Sequence, residues 1–181
     1  MLFRSAIGSI AAHAATGVFS LAYIALAQRF GMVVSVAGAV GLWFAVAFML
    51  RHVEWTFASV AIANLVTYFV CIALTARYRH VKMPLIVRKW YDVPVRALMV
   101  SVLVAAVVGL SGRVGPTVTG LLAVYPIVMT SLMLIFQPRV GGPAAAALIA
   151  NTMWGLVGFS ACLFTVHLAT VPLGKIGRAH V

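Results

Sequence analysis

Long apolar runs separated by short polar punctuation organise this chain. Residues 6–27 carry no charge, and Arg29 and Gly31 then mark a turn. Met32 to Leu50 is a second apolar run, closed by Arg51-His52-Val53-Glu54. Trp55 to Ala76 is a third, followed by the basic stretch RYRHVKMPLIVRKWYDVPVR. A fourth run covers Pro94 to Leu110, a fifth Pro116 to Phe136 and a sixth Pro143 to Thr170, where Pro172 and Gly174 are read as the stop. Each run matches one bilayer crossing, because ~20 helical residues at ~1.5 Å rise cover a ~30 Å hydrocarbon core. None alternates apolar and polar residues as barrel strands must. Runs two to four also lack the polar stripe of a water-facing helix. The pattern predicts an all-α, polytopic transmembrane helix bundle of about six spans, forming a single transmembrane domain over residues 1–181.

The stretch from Gly115 to Pro143, GPTVTGLLAVYPIVMTSLMLIFQPRVGGP, carries the sharpest local signals. Its helix is expected to start at a Gly-Pro, break at Pro126, and close at a Gln137-Pro138-Arg139 turn that launches the sixth helix at Pro143. Proline removes one backbone hydrogen bond and its ring clashes with the preceding turn, here at Leu122. A carbonyl freed inside lipid is costly, so the break should face other helices or a wet cavity. Thr119, Tyr125, Thr130 and Ser131 surround it in sequence. Pro126 is therefore either a packing kink or the wall of a binding site, as in the discontinuous helices of transporters.

Composition agrees with the pattern. Hydrophobic residues make up 64% of the chain and charged residues 8%, against about a quarter charged in soluble domains. The net charge is +11, from 13 Lys and Arg against Glu54 and Asp92 alone. Those cations lie between apolar runs, so they point to topology and to anionic lipid of the cytoplasmic leaflet, not to nucleic acid. The connection holds Arg77, Arg79, Lys82, Arg88, Lys89 and Arg96. With Arg4 and Arg178 at the two ends set aside, placing it in the cytoplasm with Arg29 and Arg139 leaves Arg51, Arg113 and Lys175 outside. Trp90 and Tyr91 then fall at the headgroup level, where aromatic rings anchor.

Other candidate residues are few. Asn64 and Asn151 are the strongest neutral polar groups within spans and read as interhelical glue or ligand contacts. His13 is either a titrating group or a neutral ring satisfied by a neighbour's backbone. Gly38, Gly41, Gly155 and Gly158 read as sites of close helix approach. Cys71 and Cys162 read as small buried hydrophobes, not a disulfide. Gly158-Phe159-Ser160-Ala161 has the shape of a nucleophile motif, but His167 stands two turns along the same helix, ~10 Å away, and cannot serve as base. The chain is read as a non-enzyme with no metal or cofactor pattern.

A weak repeat relates the halves 6–76 and 94–174, joined by the basic loop 77–93. Ser20-Leu21 leading to Arg29-x-Gly31 parallels Ser131-Leu132 leading to Arg139-x-Gly141, and Gly8-x-x-Ala11 parallels Gly120-x-x-Ala123. His13 then corresponds to Tyr125. A parallel duplication needs both first helices to run the same way, as they do. Residues 1–5 and 176–181 resemble translations of opposite strands of a sequencing adaptor, so native sequence is expected over about Ala6 to Lys175, within a larger bundle.

The run GPTVTGLLAVYPIVMTSLMLIFQPRVGGPAAAALIANTMWGLVGF resembles a pattern in uncharacterised polytopic bacterial inner-membrane proteins: Gly-Pro, Gly-Leu-Leu-Ala, a central Pro, Thr-Ser-Leu and a Gly-rich helix. The resemblance covers about the second half of the chain. It implies a bacterial inner-membrane location and brings no functional residues. The function expected is a transporter-like permease for a small solute, bound near Tyr125, Pro126, Thr130, Ser131, Asn151 and His13. A non-transporting membrane scaffold is the alternative, and a homo-oligomer is compatible with either. If lipid is the solvent of these runs, the chain purified without detergent should aggregate. A monodisperse folded monomer in plain buffer, seen by light scattering and circular dichroism, would contradict it.

Overall fold

The structure is a computed structural model that describes residues 2–50, 52–53, 55–81, 90–102, 104–105, 109 and 125–176, with side chains placed from residue 12 to 162 of these and at 164 and 165. Arg51, Glu54, Lys82, Arg88, Lys89, Arg113 and the upstream half of the fifth run, including Thr119, Gly120 and Leu122, lie outside the described residues. Every regular element among the described residues is helical. We label them α1 (Leu2–Leu26), α2 (Met32–Leu50), α3 (Phe57–Thr75, continued by a tighter turn Ala76–Tyr78), α4 (92–102), α5 (Ile127–Val140) and α6 (Gly142–Ile176).

The bundle is built around α1, which packs against α2, α3 and α6. From Ala12 to Ile24 none of its residues is exposed. A helix apolar on every face is stable only when surrounded, and the small residues Ala12, Ala15 and Ala27 let neighbours come close while Phe19 and Tyr23 fill the layers between them. Helix α6 runs antiparallel to α1. Ala27 faces Gly142 at one end and His13 meets Leu156 at the other. Helix α5 packs on α6 and α2.

The faces of α2 and α3 turned away from α1 are apolar. Val33, Met49, Leu65 and Phe69 are each 69–74% exposed. Such faces would be costly in water and are normal against lipid acyl chains. Among the described residues, three helical segments are long and apolar enough to cross a membrane: Met32–Leu50, Phe57–Tyr78 and Gly142–Cys162. Ala12–Leu26 and Ile127–Val140 are shorter apolar segments. The chain is a helical membrane bundle.

Helix ends show how local chemistry sets the spans. Arg29 and Gly31 bracket the α1–α2 corner, and α2 has the bounds its apolar run predicts. Helix α3 starts later than its run, at Phe57, because Thr56 caps it: the Thr56 hydroxyl accepts the Ser59 N–H, and the Ser59 hydroxyl accepts the Thr56 N–H. This is a reciprocal capping box that satisfies two otherwise orphaned donors. Trp55 donates its indole N–H to Leu50 O at 2.7 Å, stapling the end of α2 to the start of α3.

Three sequence expectations need correction. The Gln137-Pro138-Arg139 turn is not a turn: α5 runs through Pro138 to Val140. Pro138 lies two residues before the helix ends at Val140, so the helix loses a single hydrogen bond to Leu134 and continues. The corner is at Gly141, whose φ of +82° is a conformation glycine adopts without a Cβ penalty. Likewise α6 does not stop at Pro172 and Gly174 but continues to Ile176. Its 35 residues span ~52 Å at ~1.5 Å per residue. Finally, of the glycines read as close-approach points only Gly38 is one: a Cβ there would lie 2.7 Å from Leu26 Cδ1, whereas Gly41, Gly155 and Gly158 face open space.

The tightest approach is at Gly142, where an added Cβ would fall onto the carbonyl oxygen of Ala27. That atom is backbone and cannot rotate away. Gly142→Ala should destabilise the bundle by ~1–3 kcal/mol, the usual cost of forced overpacking. Gly155→Ala, into open space, should be neutral or mildly stabilising. Thermal unfolding of both variants in detergent measures the difference.

Candidate functional site

At Pro126, where the sequence predicts a helix break, the structure shows the start of α5; the segment that would continue it upstream lies outside the described residues. Tyr125 and Pro126 are not helical, and α5 begins at Ile127 with Pro126 as its N-cap. Pro126 has φ −77° and ψ 62°, and the Ile127 N–H donates to Tyr125 O at 2.8 Å. This is an inverse γ-turn, a three-residue reversal that the ring of proline favours by fixing φ. Proline offers no side-chain cap. Thr130 secures the carbonyl side of the turn: its N–H and its hydroxyl both donate to Pro126 O, at 3.0 and 3.1 Å. The Tyr125 phenol and the Thr130 hydroxyl are 2.8 Å apart.

The break sits against α2 well inside that span. The Tyr125 ring meets Trp43 edge-to-face at 5.3 Å and stacks on Phe44 at 6.0 Å. Trp43 is fully buried, and its indole Nε1 has no hydrogen-bond partner. From the break, the 14 residues of α5 cover only ~21 Å. That is less than a ~30 Å core, so the γ-turn lies at hydrocarbon depth when the Arg139 end reaches the interface.

That far end is pinned as well. Arg139 donates to both carboxylate oxygens of Asp92, through Nη1 at 3.0 Å and through Nη2, and lies over the Tyr91 ring at 5.1 Å. A bidentate guanidinium–carboxylate pair is geometrically specific. It joins the end of the basic connection to the end of α5, so these two basic segments share one side of the bundle. Beside the pair, a cavity of about 320 Å³ opens between α4 and α5, walled by Val95, Leu134, Ile135 and Pro138. Of the residues read as lipid- and topology-setting, Arg77 and Trp90 are exposed and Arg96 half-buried. Arg79 folds back along α3, donating to Ile72 O and lying 5.6 Å from the Trp154 ring centroid.

The remaining expected site residues do not all converge on the break. Ser131 is buried and bonds Val128 O of its own helix at 2.7 Å. Asn151 is exposed and donates to Ala147 O, so it faces away from the bundle. His13 belongs to a different cluster, between α1, α3 and α6. Its Nε2 lies 3.3 Å from Leu156 O, its ring contacts Tyr68 and Phe159, and Tyr68 donates to His13 O at 3.0 Å. This is the backbone-satisfied histidine, with Nε2 as donor. Ser160 is 7% exposed, and its hydroxyl makes no hydrogen bond of normal geometry among the described residues. Asn64 donates to Val60 O within α3. Cys71 is buried, whereas Cys162 is exposed, and both are free thiols.

Two residues that matter here were not singled out from sequence. Trp43 brings a buried indole N–H to the break; its only signal was a polar ring atom in the middle of an apolar run. Gln137 is 6% exposed and accepts the Tyr23 phenol proton at 3.0 Å, tying α5 to α1. Comparisons with protein-family models, with curated proteins and with solved structures find no match to this chain.

The Tyr125–Thr130 bond should be measurable as a coupling. Tyr125→Phe and Thr130→Val should each destabilise, and the double variant should cost less than their sum by ~0.5–1.5 kcal/mol, the net worth of one hydrogen bond. Unfolding in mixed micelles gives the cycle.

Proposed function

We propose that this membrane protein is a permease for a small solute, acting in the bacterial inner membrane, with the solute held at the Tyr125–Pro126 break. The observation that carries the reading is the non-helical Tyr125–Pro126 turn from which α5 starts at membrane depth. Non-helical backbone at membrane depth is tolerated where it is buried in protein or lines a wet cavity. Broken helices of this kind form the substrate sites of many carriers. Trp43, Phe44, Tyr125 and Thr130 would line the site, with apolar rings for the body of the solute and hydroxyls for its polar end. Asn151 and His13 fall outside it, which narrows the expected residue set. The bacterial setting rests on the resemblance of the second half of the chain. The basic connection would hold the bundle's orientation against anionic lipid of the cytoplasmic leaflet.

A permease must open the break to water. In a Cys71→Ser, Cys162→Ser background, Thr130→Cys should react with a membrane-impermeant methanethiosulfonate reagent added to proteoliposomes. Val128→Cys, 60% exposed on the outer face of the same helix turn, should not. Equal inertness of the two positions would mean a dry kink, as a scaffold protein requires, and would defeat the permease reading.

A further inference from the structure

The break also indicates what kind of solute it would hold, an inference that rests on the permease reading. Both backbone carbonyls at the break are engaged. Tyr125 O takes the Ile127 N–H, and Pro126 O takes both the N–H and the hydroxyl of Thr130. Because the single Thr130 hydroxyl proton goes to Pro126, the Tyr125 phenol is the donor in the Tyr125–Thr130 pair. The buried side-chain atom left there without any partner is a donor. Trp43 Nε1–H is fully buried, unpartnered, and carried by a ring in edge-to-face contact with Tyr125. An indole N–H can donate and cannot accept, and a buried donor without a partner is costly.

The second feature is independent of the first. The break is the N-terminus of α5, a helix of 14 residues with no side-chain cap. The first-turn N–H groups of a helix have no intrahelical acceptor, and the helix dipole puts partial positive charge there. Both features ask for an acceptor bearing negative charge. No Asp or Glu lies in any apolar run of the sequence to supply it or to attract a cation instead. The aromatic walls of Trp43, Phe44 and Tyr125 suit an organic body better than a bare halide.

We propose that the site takes the carboxylate of a small organic acid anion, with Trp43 Nε1–H and the Val128 and Met129 N–H groups at the start of α5 as donors. Acetate is the probe. In the full chain, labelled with ¹⁵N-tryptophan in detergent, the Trp43 indole resonance is assigned by elimination using Trp55→Phe, Trp90→Phe and Trp154→Phe. Titration with sodium acetate at constant ionic strength should move that resonance downfield and saturably, while sodium chloride and choline chloride leave it in place. In Trp43→Phe, which keeps an aromatic ring against Tyr125, the dissociation constant for trifluoroacetate, read from ¹⁹F line broadening, should rise about tenfold or more, as the loss of a hydrogen bond to a charged group implies. An indole resonance that acetate does not move, an equal response to chloride, or unchanged trifluoroacetate broadening in Trp43→Phe would each overturn the proposal. Acetate binding in a protein whose Thr130→Cys variant stays inert to the thiol reagent would instead overturn the permease reading and leave the anion site standing.

Discussion

The end of α1 and the start of α6 meet so closely that the carbonyl of Ala27 occupies the place a side chain at position 142 would take. In a membrane the apolar drive that assembles soluble cores is weak between helices, because lipid is as apolar as leucine. What holds helices together is van der Waals packing at short range. Of the described glycines Gly142 makes the closest such approach, and the Tyr23–Gln137 hydrogen bond closes the third side of the same corner by bringing in α5. With α1, α5 and α6 fixed at this end, the remaining contacts follow the directions of the rods. His13 reaches Leu156 at the opposite end, Gly17 meets Tyr68 of α3, and Gly38 of α2 receives Leu26.

Polar side chains in this bundle divide by chemistry. Hydroxyls and amides mostly look after themselves: Ser20, Ser35, Asn64, Thr75, Ser131, Asn151 and Thr152 all donate to carbonyls three or four residues back in their own helices. Such back-bonding lets a short polar group sit in an apolar setting without a partner helix. Tyrosines do the reverse. Tyr23 and Tyr68 are long enough to carry a donor across to Gln137 and to the His13 carbonyl. Where neither device applies, a donor is left over, and Trp43 is the case that sits beside a helix break.

Much of this architecture was legible in the sequence because charge and length decide it. Met32–Leu50 was readable to the residue, since Gly31 and Arg51 leave the apolar run no choice of ends. The helix boundary at Pro126 was readable because proline removes a hydrogen bond wherever it stands. Pro138 and Pro172 show the limit of the same argument. A proline also occurs inside a helix that tertiary packing or the membrane holds in place, and sequence does not record which restraint applies. The glycines failed for a related reason: close approach depends on which face meets a neighbour, and only Gly38 of the four faces one. Asn151 was assigned to the site by its chemistry, yet its position around the α6 axis puts it on the outer surface. Trp43 was passed over because its apolar ring fits its run so well that its single N–H draws no notice. The two glycine-bearing corners, similar in sequence, are also built differently, since Gly141 has a positive φ and Gly31 does not.

The one-residue corner at Gly141 ties the depths of two helices together. With a single residue between them, α5 and α6 form one hairpin, and Met129 touches Thr152 across it. The 14 residues of α5 cover less than a full crossing. Its half-buried γ-turn is therefore matched in depth to the middle of α6 and not to an interface. Any shift of one arm along the bilayer normal carries the other with it.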